Sequence, residues 1–171
     1  MIIMKKLTKL FCVATILLGF AANAFGQVSA TATATATILT PIAITKTVDL
    51  NFGNLAVHPT TAGTLALATD NNRSITGGVT LMPAGTVSAA SFTVTGNTNA
   101  IYTITLPGSI VITDGTHNMT VNAFTSTPAT TGTLTLGTST LRVGATLVVP
   151  GGQSAGIYTN TTDLDVTVNY Q

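Results

Sequence analysis

Leu164-Asp165-Val166-Thr167-Val168-Asn169-Tyr170-Gln171 closes the sequence. Apolar Leu164, Val166, Val168 and Tyr170 alternate with polar Asp165, Thr167, Asn169 and Gln171. A period of two is the signature of a strand with one buried and one solvated face. With an aromatic one residue from the end, the expectation is an edge that no tail covers. Such an edge is a template for pairing with another chain. Assembly through main-chain hydrogen bonds therefore comes ahead of chemistry as a reading.

The same period recurs upstream. Leu141, Val143, Ala145, Leu147 and Val149 form the longest clean alternation, closed by Pro150-Gly151-Gly152. Ile110 and Ile112 form a short strand ended by Asp114-Gly115, and Met119, Val121 and Ala123 form the next. Phe92 and Val94 lead into Gly96-Asn97-Thr98-Asn99, and Tyr102, Ile104 and Leu106 follow, a pattern that predicts a hairpin. Val48, Leu50 and Phe52 alternate up to Gly53, while Gly77-Gly78 divides Ile75 from Val79 and Leu81. Residues 30–37 read Ala-Thr four times, which favours a strand, although alanine buries little area. Pro41 interrupts Ile38, Leu39, Ile42 and Ile44, so a strand there bends, bulges or lies at an edge. No helical period is sustained after the first 26 residues. The expected fold is all-β, an Ig-like antiparallel β-sandwich of about seven to nine short strands. Residues 27–171 read as one domain, with residues 27–45 as its N-terminal strand.

The first 26 residues read as an address. Lys5, Lys6 and Lys9 precede an apolar run too short to span a bilayer, and Ala22-Asn23-Ala24 or Ala24-Phe25-Gly26 offers a small-residue cut. Cleavage after Ala24 or Gly26 leaves an exported chain for the periplasm, cell surface or medium, with no integral membrane span. Cys12 leaves with the signal, so the mature chain relies on its core and ladders without a disulfide. Of six basic residues only Lys46, Arg73 and Arg142 remain, against five aspartates. With no basic patch to hold phosphates, nucleic acid is excluded as a partner. About a quarter of the mature residues are threonine, which suits a pleated, static surface.

Candidate chemistry is sparse. Gly152-Gln153-Ser154-Ala155-Gly156 has the spacing of a nucleophile elbow, but that motif needs a following helix, and Ile157-Tyr158-Thr159 starts another strand. A Gly-rich loop is the better reading, although a buried Ser154 touching a histidine would overturn it. His58 and His117 lie in no ligand-spaced cluster, so no metal or other cofactor is expected. Asp70-Asn71-Asn72 lacks a bidentate closing acid for calcium and reads as a turn. Asp163 and Asp165 share a solvated face, where charge discourages wrong edge pairing. No catalytic residue is assigned, and the chain is read as no enzyme.

Thr37-Ile38-Leu39-Thr40-Pro41-Ile42-Ala43-Ile44, Asp49-Leu50-Asn51-Phe52-Gly53 and Thr76-Gly77-Gly78-Val79-Thr80-Leu81 resemble a bacterial secreted family. So do Ser91-Phe92-Thr93-Val94-Thr95-Gly96, Tyr102-Thr103-Ile104-Thr105-Leu106-Pro107 and Gly156-Ile157-Tyr158-Thr159. It is domain-of-unknown-function family 4402. Gly156, the penultimate Tyr170 and the alternating last strand are also similar to spore-coat-U and chaperone–usher pilin subunits. That resemblance implies a C-terminal strand held by a periplasmic chaperone and a sandwich completed by a neighbour's N-terminal extension, which makes residues 27–45 a donor-like N-terminal strand. The implied assembly residues are Ile38, Leu39, Ile42 and Ile44 on the donor side, and Leu164, Val166, Val168 and Tyr170 on the chaperone-reading face. Two departures stand out, the missing disulfide and the small residues Ala30, Ala32, Ala34 and Ala36 where donor strands carry bulky ones. The expected role is structural or adhesive, as a pilin-like subunit in a homopolymer or with related subunits. The alternative is a self-complete secreted module that binds a surface glycan.

Overall fold

A computed structural model describes residues 27–83, 85–160 and 164–171; the expected signal segment and Asp163 lie outside these. The chain divides into two units, Met1–Thr37 and Ile38–Gln171. In the first, residues 27–37 are exposed and form no strand. The Ala-Thr alternation fits a pleat, but its methyl groups offer too little apolar area to anchor one.

The second unit is all-β and antiparallel, with thirteen strands among the described residues. In chain order they are β1 Ala43–Val48, β2 Leu55–Val57, β3 Gly63–Leu67, β4 Arg73–Gly77, β5 Val79–Leu81, β6 Ala90–Thr95 and β7 Ile101–Thr105. There follow β8 Ser109–Thr113, β9 Asn118–Thr127, β10 Thr131–Thr133, β11 Thr138–Val149, β12 Thr159–Asn160 and β13 Thr167–Tyr170. The number exceeds the expected seven to nine because glycine and asparagine turns cut several pieces down to two or three residues.

The twelve residues of β11 organise the sandwich. One edge pairs with β6 along Thr138–Val143 and then with β3 along Ala145–Val149. The other edge pairs with β9 along Arg142–Val148, with one register shift between Gly144 and Thr146. The large sheet runs β1-β6-β11-β9-β8-β12, with β3 and β4 joined beside the far half of β11. Leu141, Val143, Ala145, Leu147 and Val149 are all buried on one face, as their period of two requires. Opposite Ala145, β9 carries an extra residue; Ala123 there has φ 46°, and the ladder shifts register. This is a bulge, a local bend in a paired strand.

Two small sheets cover that buried face, β10-β7-β13 and β2-β5. The first packs Tyr102 and Val168 on Phe92, Val94, Leu141 and Val143. The second packs Val79, Leu55 and Val57 on Leu65, Leu67, Val121 and Leu147. No buried polar or charged residue lies among the described ones. The ring of Tyr102 is fully buried and its hydroxyl donates to Ser139 Oγ at 3.0 Å, which satisfies its polar end. Gly132 lies against that ring; a Cβ there would sit 2.4 Å from it.

The expected hairpin between Phe92–Val94 and Tyr102–Leu106 does not form. β6 pairs with β1 and β11, whereas β7 pairs with β10 and β13. The turn at residues 96–100, with Asn99 at φ 61°, carries the chain across the sandwich instead of folding it back in one sheet. Both segments alternate because both bury one face, and alternation alone does not name the partner.

Candidate functional site

Two places combine residues singled out by the sequence. The first is the pair of strands near the ends of the chain. β13 pairs with β7, Val168 opposite Ile104 and Tyr170 opposite Tyr102, and it is the edge strand of its sheet. Val168 is buried, and Leu164, Val166 and Tyr170 pack half-buried on the same core cluster. β1 pairs with β6 at the edge of the large sheet, and Ile42 and Ile44 join that cluster. By contrast, Ile38 is 96% exposed and Leu39 52% exposed, and neither lies in a strand. The segment expected to act as a unit thus divides at Pro41. Residues 27–41 form no strand, and β1 begins two residues beyond the proline.

Tyr170 fastens the two ends of this unit together. Its hydroxyl accepts the Asn97 backbone N–H at 2.6 Å and donates to the Thr40 carbonyl at 2.6 Å. The approach depends on Gly96, where a Cβ would lie 2.2 Å from that oxygen.

Beside β2 lies a groove of about 1380 Å³. β2 pairs with β5 alone and β13 with β7 alone, so the two covering sheets are not hydrogen-bonded to each other. Residues 49–57 line one part of it and residues 153–160 with Leu164 another; Phe92, Met119, Val121 and Leu147 contribute from the large sheet. Those four are buried members of the core clusters. Arg73 holds the 52–54 turn by donating from Nη1 to the Phe52 carbonyl at 3.0 Å.

The second place is the turn between β8 and β9 together with the loop after β11. Asp114 Oδ1 accepts the backbone N–H groups of Thr116 and His117 at 2.8 and 2.6 Å, a side-chain-capped turn. Asp114 Oδ2 lies 3.1 Å from His117 Nδ1. His117 Nε2 in turn lies 3.4 Å from Ser154 Oγ. The backbone N–H groups of His117 and Thr116 hold the Asp114 carboxyl far below the usual carboxylate range. Tyr158 donates to the Ser154 carbonyl at 2.8 Å; burial first, and then the Asp114 carboxylate, raise its phenol above the usual range. Ser154 is exposed, not buried, but it does meet a histidine, and the sequence alone did not bring these two together. The contact arises because β12 pairs with β8 and so lays the 153–158 loop over the β8–β9 turn. The Gly-x-Ser-x-Gly spacing was a signal for Ser154; nothing local pointed to His117 as its neighbour.

The remaining candidates are turn residues. His58 Nδ1 accepts the backbone N–H groups of Thr60 and Thr61 at 3.3 and 3.2 Å. Asp70 accepts the Asn72 backbone N–H at 3.1 Å and its side-chain amide at 2.6 Å. Asn71 Oδ1 takes the Ala89 N–H at 2.7 Å and Arg142 Nη2 at 2.9 Å. Those oxygens are engaged by the protein itself.

Residues 42–170 match the family model described as "Domain of unknown function (DUF4402)". The match begins at Ile42, beside the first strand, and takes in all thirteen strands. No curated protein and no solved structure matches the chain. No helix among the described residues is long and apolar enough to cross a membrane.

Proposed function

The chain belongs to the DUF4402 family, and we propose that it is an exported structural or adhesive subunit of the bacterial surface, assembled by strand addition in the manner of pilins. The observation that carries this reading is a complementary pair. The sandwich has a groove bounded by residues 49–57 and 153–160 and floored by the apolar Phe92, Met119, Val121 and Leu147. The same chain carries an alternating segment, residues 27–41, that forms no strand. Laid into the groove of a second copy, that segment gains ladder hydrogen bonds from an open edge, and its alternate side chains meet the apolar lining. Ile38 is its strongest anchor; Ala30, Ala32, Ala34 and Ala36 fill space without adding much area. Export follows from the signal-like first 26 residues, and a periplasmic chaperone would guard the groove before assembly.

The test is size-exclusion chromatography and electron microscopy of the mature protein with and without residues 27–41. The deletion stops before Ile42 because β1 belongs to the protomer's own sheet. Concentration-dependent oligomers or fibres that vanish on deletion support the proposal. A monomer at every concentration, or oligomers indifferent to the deletion, refutes it.

A further inference from the structure

We propose that Ser154, His117 and Asp114 form a nucleophilic site that accepts acyl groups from carboxylic esters with aliphatic acyl chains. This does not require the assembly reading, although an acyl chain and a donor segment would occupy the same groove. Three side chains from two loops fall in the order that nucleophile activation requires: hydroxyl, imidazole, carboxylate. Ser154 Oγ lies 3.4 Å from His117 Nε2, and His117 Nδ1 lies 3.1 Å from Asp114 Oδ2. Such distances are usual for a site without bound substrate, where the nucleophile–base contact is loose. The carboxylate fixes Nδ1 as the protonated ring nitrogen, which leaves Nε2 as the acceptor facing the hydroxyl.

Each member is held from behind. Two backbone N–H groups pin Asp114 Oδ1, and Oδ2 faces the imidazole, with the Tyr158 hydroxyl also beside the carboxylate. The Ser154 carbonyl accepts from Tyr158, and Gln153 Nε2 donates to the Asn118 carbonyl at 3.3 Å, which moors the loop on both sides of the hydroxyl. Ser154 also lines the groove that holds Met119, Val121 and Leu147. An acyl chain bound there places its carboxyl carbon near Oγ, and this sets the substrate class.

The chemistry balances without a cofactor. Ser154 Oγ attacks the ester carbonyl carbon while His117 Nε2 takes the hydroxyl proton. The bond to the alcohol oxygen breaks, and the leaving alcohol receives that proton from His117. Water then attacks the acyl-Ser154 carbon and gives a proton to His117. The Oγ–acyl bond breaks, the carboxylic acid departs, and the proton returns to Oγ. Ser154 is followed by a bend and β12, not by a helix, so no helix N-terminus stabilises the oxyanion. Turnover is accordingly slow, and covalent capture is the better readout.

The test treats the purified full chain with diisopropyl fluorophosphate, in which Oγ displaces fluoride and the serine proton passes to His117. Intact and peptide mass spectrometry then locate the adduct. The expected result is one adduct per chain at Ser154, absent in Ser154→Ala. It forms about 100-fold more slowly in His117→Gln, the size of a general-base contribution. It is unchanged in Ser74→Ala, an exposed serine on β4. For the positioning residue, Asp114→Asn retains an oxygen for the turn but presents an amide donor to Nδ1. Slower labelling with a switch of the ring proton to Nε2, seen by nitrogen NMR, is expected. A 4-nitrophenyl butyrate burst equal to the protein concentration, lost in Ser154→Ala, is the matching substrate result. No adduct at Ser154 in chain shown folded by circular dichroism overturns the proposal. Equal labelling of wild type and a folded His117→Gln overturns it as well.

Discussion

Asp114 carries an unusual load for one half-buried carboxylate. It follows β8, closes the turn through two backbone N–H groups and faces an imidazole. Those N–H groups depress its carboxyl because they favour the charged form. The sign of the consequence follows by linkage. A group depressed on folding is protonated in the unfolded chain before the folded one, so the unfolded state binds more protons in acid. The stability Asp114 contributes is therefore fully present above the ordinary carboxylate value, about pH 4. It is lost as pH falls below this toward the folded-state value. In Asp114→Asn this part of the acid dependence is missing. Thermal melts of wild type and Asp114→Asn, compared between about pH 5 and pH 2, should diverge at the upper end and converge at the lower. A constant gap across that range contradicts the assignment.

At the scale of elements, β11 explains most of the architecture. Its inward residues touch both core clusters, Leu141 and Val143 in one, Ala145, Leu147 and Val149 in the other. Leu147→Ala removes three carbons from a fully enclosed site and leaves a cavity between two sheets. The expected loss is about 2–5 kcal/mol in urea unfolding. Val111→Ala on β8 removes two carbons from a side chain 39% exposed, and should cost well under half as much. Similar losses at both positions would mean that β11 does not hold the core. This strand was plain in the sequence, because five alternating apolar residues admit one burial pattern. The β8–β9 hairpin was legible too, since Asp114-Gly115 and the flanking alternation describe the same local turn. The β6–β7 pairing was misread because the crossing turn at residues 96–100 carries the same asparagine and glycine chemistry as a hairpin. The contact of Ser154 with His117 was illegible for a related reason. It follows from β12 pairing with β8 across 45 intervening positions in the register Thr159–Thr113, and no local spacing encodes that pairing.

For the whole molecule the question is whether the sandwich is complete without residues 27–41. The Ile38–Gln171 unit contains every strand among the described residues, both core clusters and the family match, which begins at Ile42. Within the described residues, the hydrogen bond seen between residues 38–41 and a strand is the one from Tyr170 to the Thr40 carbonyl. Deleting residues 27–41 thus removes about one neutral hydrogen bond, or 0.5–1.5 kcal/mol. For a domain of this size that lowers Tm by only a few degrees. Extending the deletion through β1 has a different character. It strips Ile42 and Ile44 from the core and exposes one edge of β6 to solvent, so the isolated chain should fail to give a cooperative transition. Calorimetry of dilute, monomeric samples of the two deletions separates the cases. A near-native melt for the shorter deletion means a protomer closed by its own β1, with the N-terminal segment left over for another copy. A collapse of Tm already at the shorter deletion would make that segment a working part of its own fold, and the subunit would then have nothing to donate.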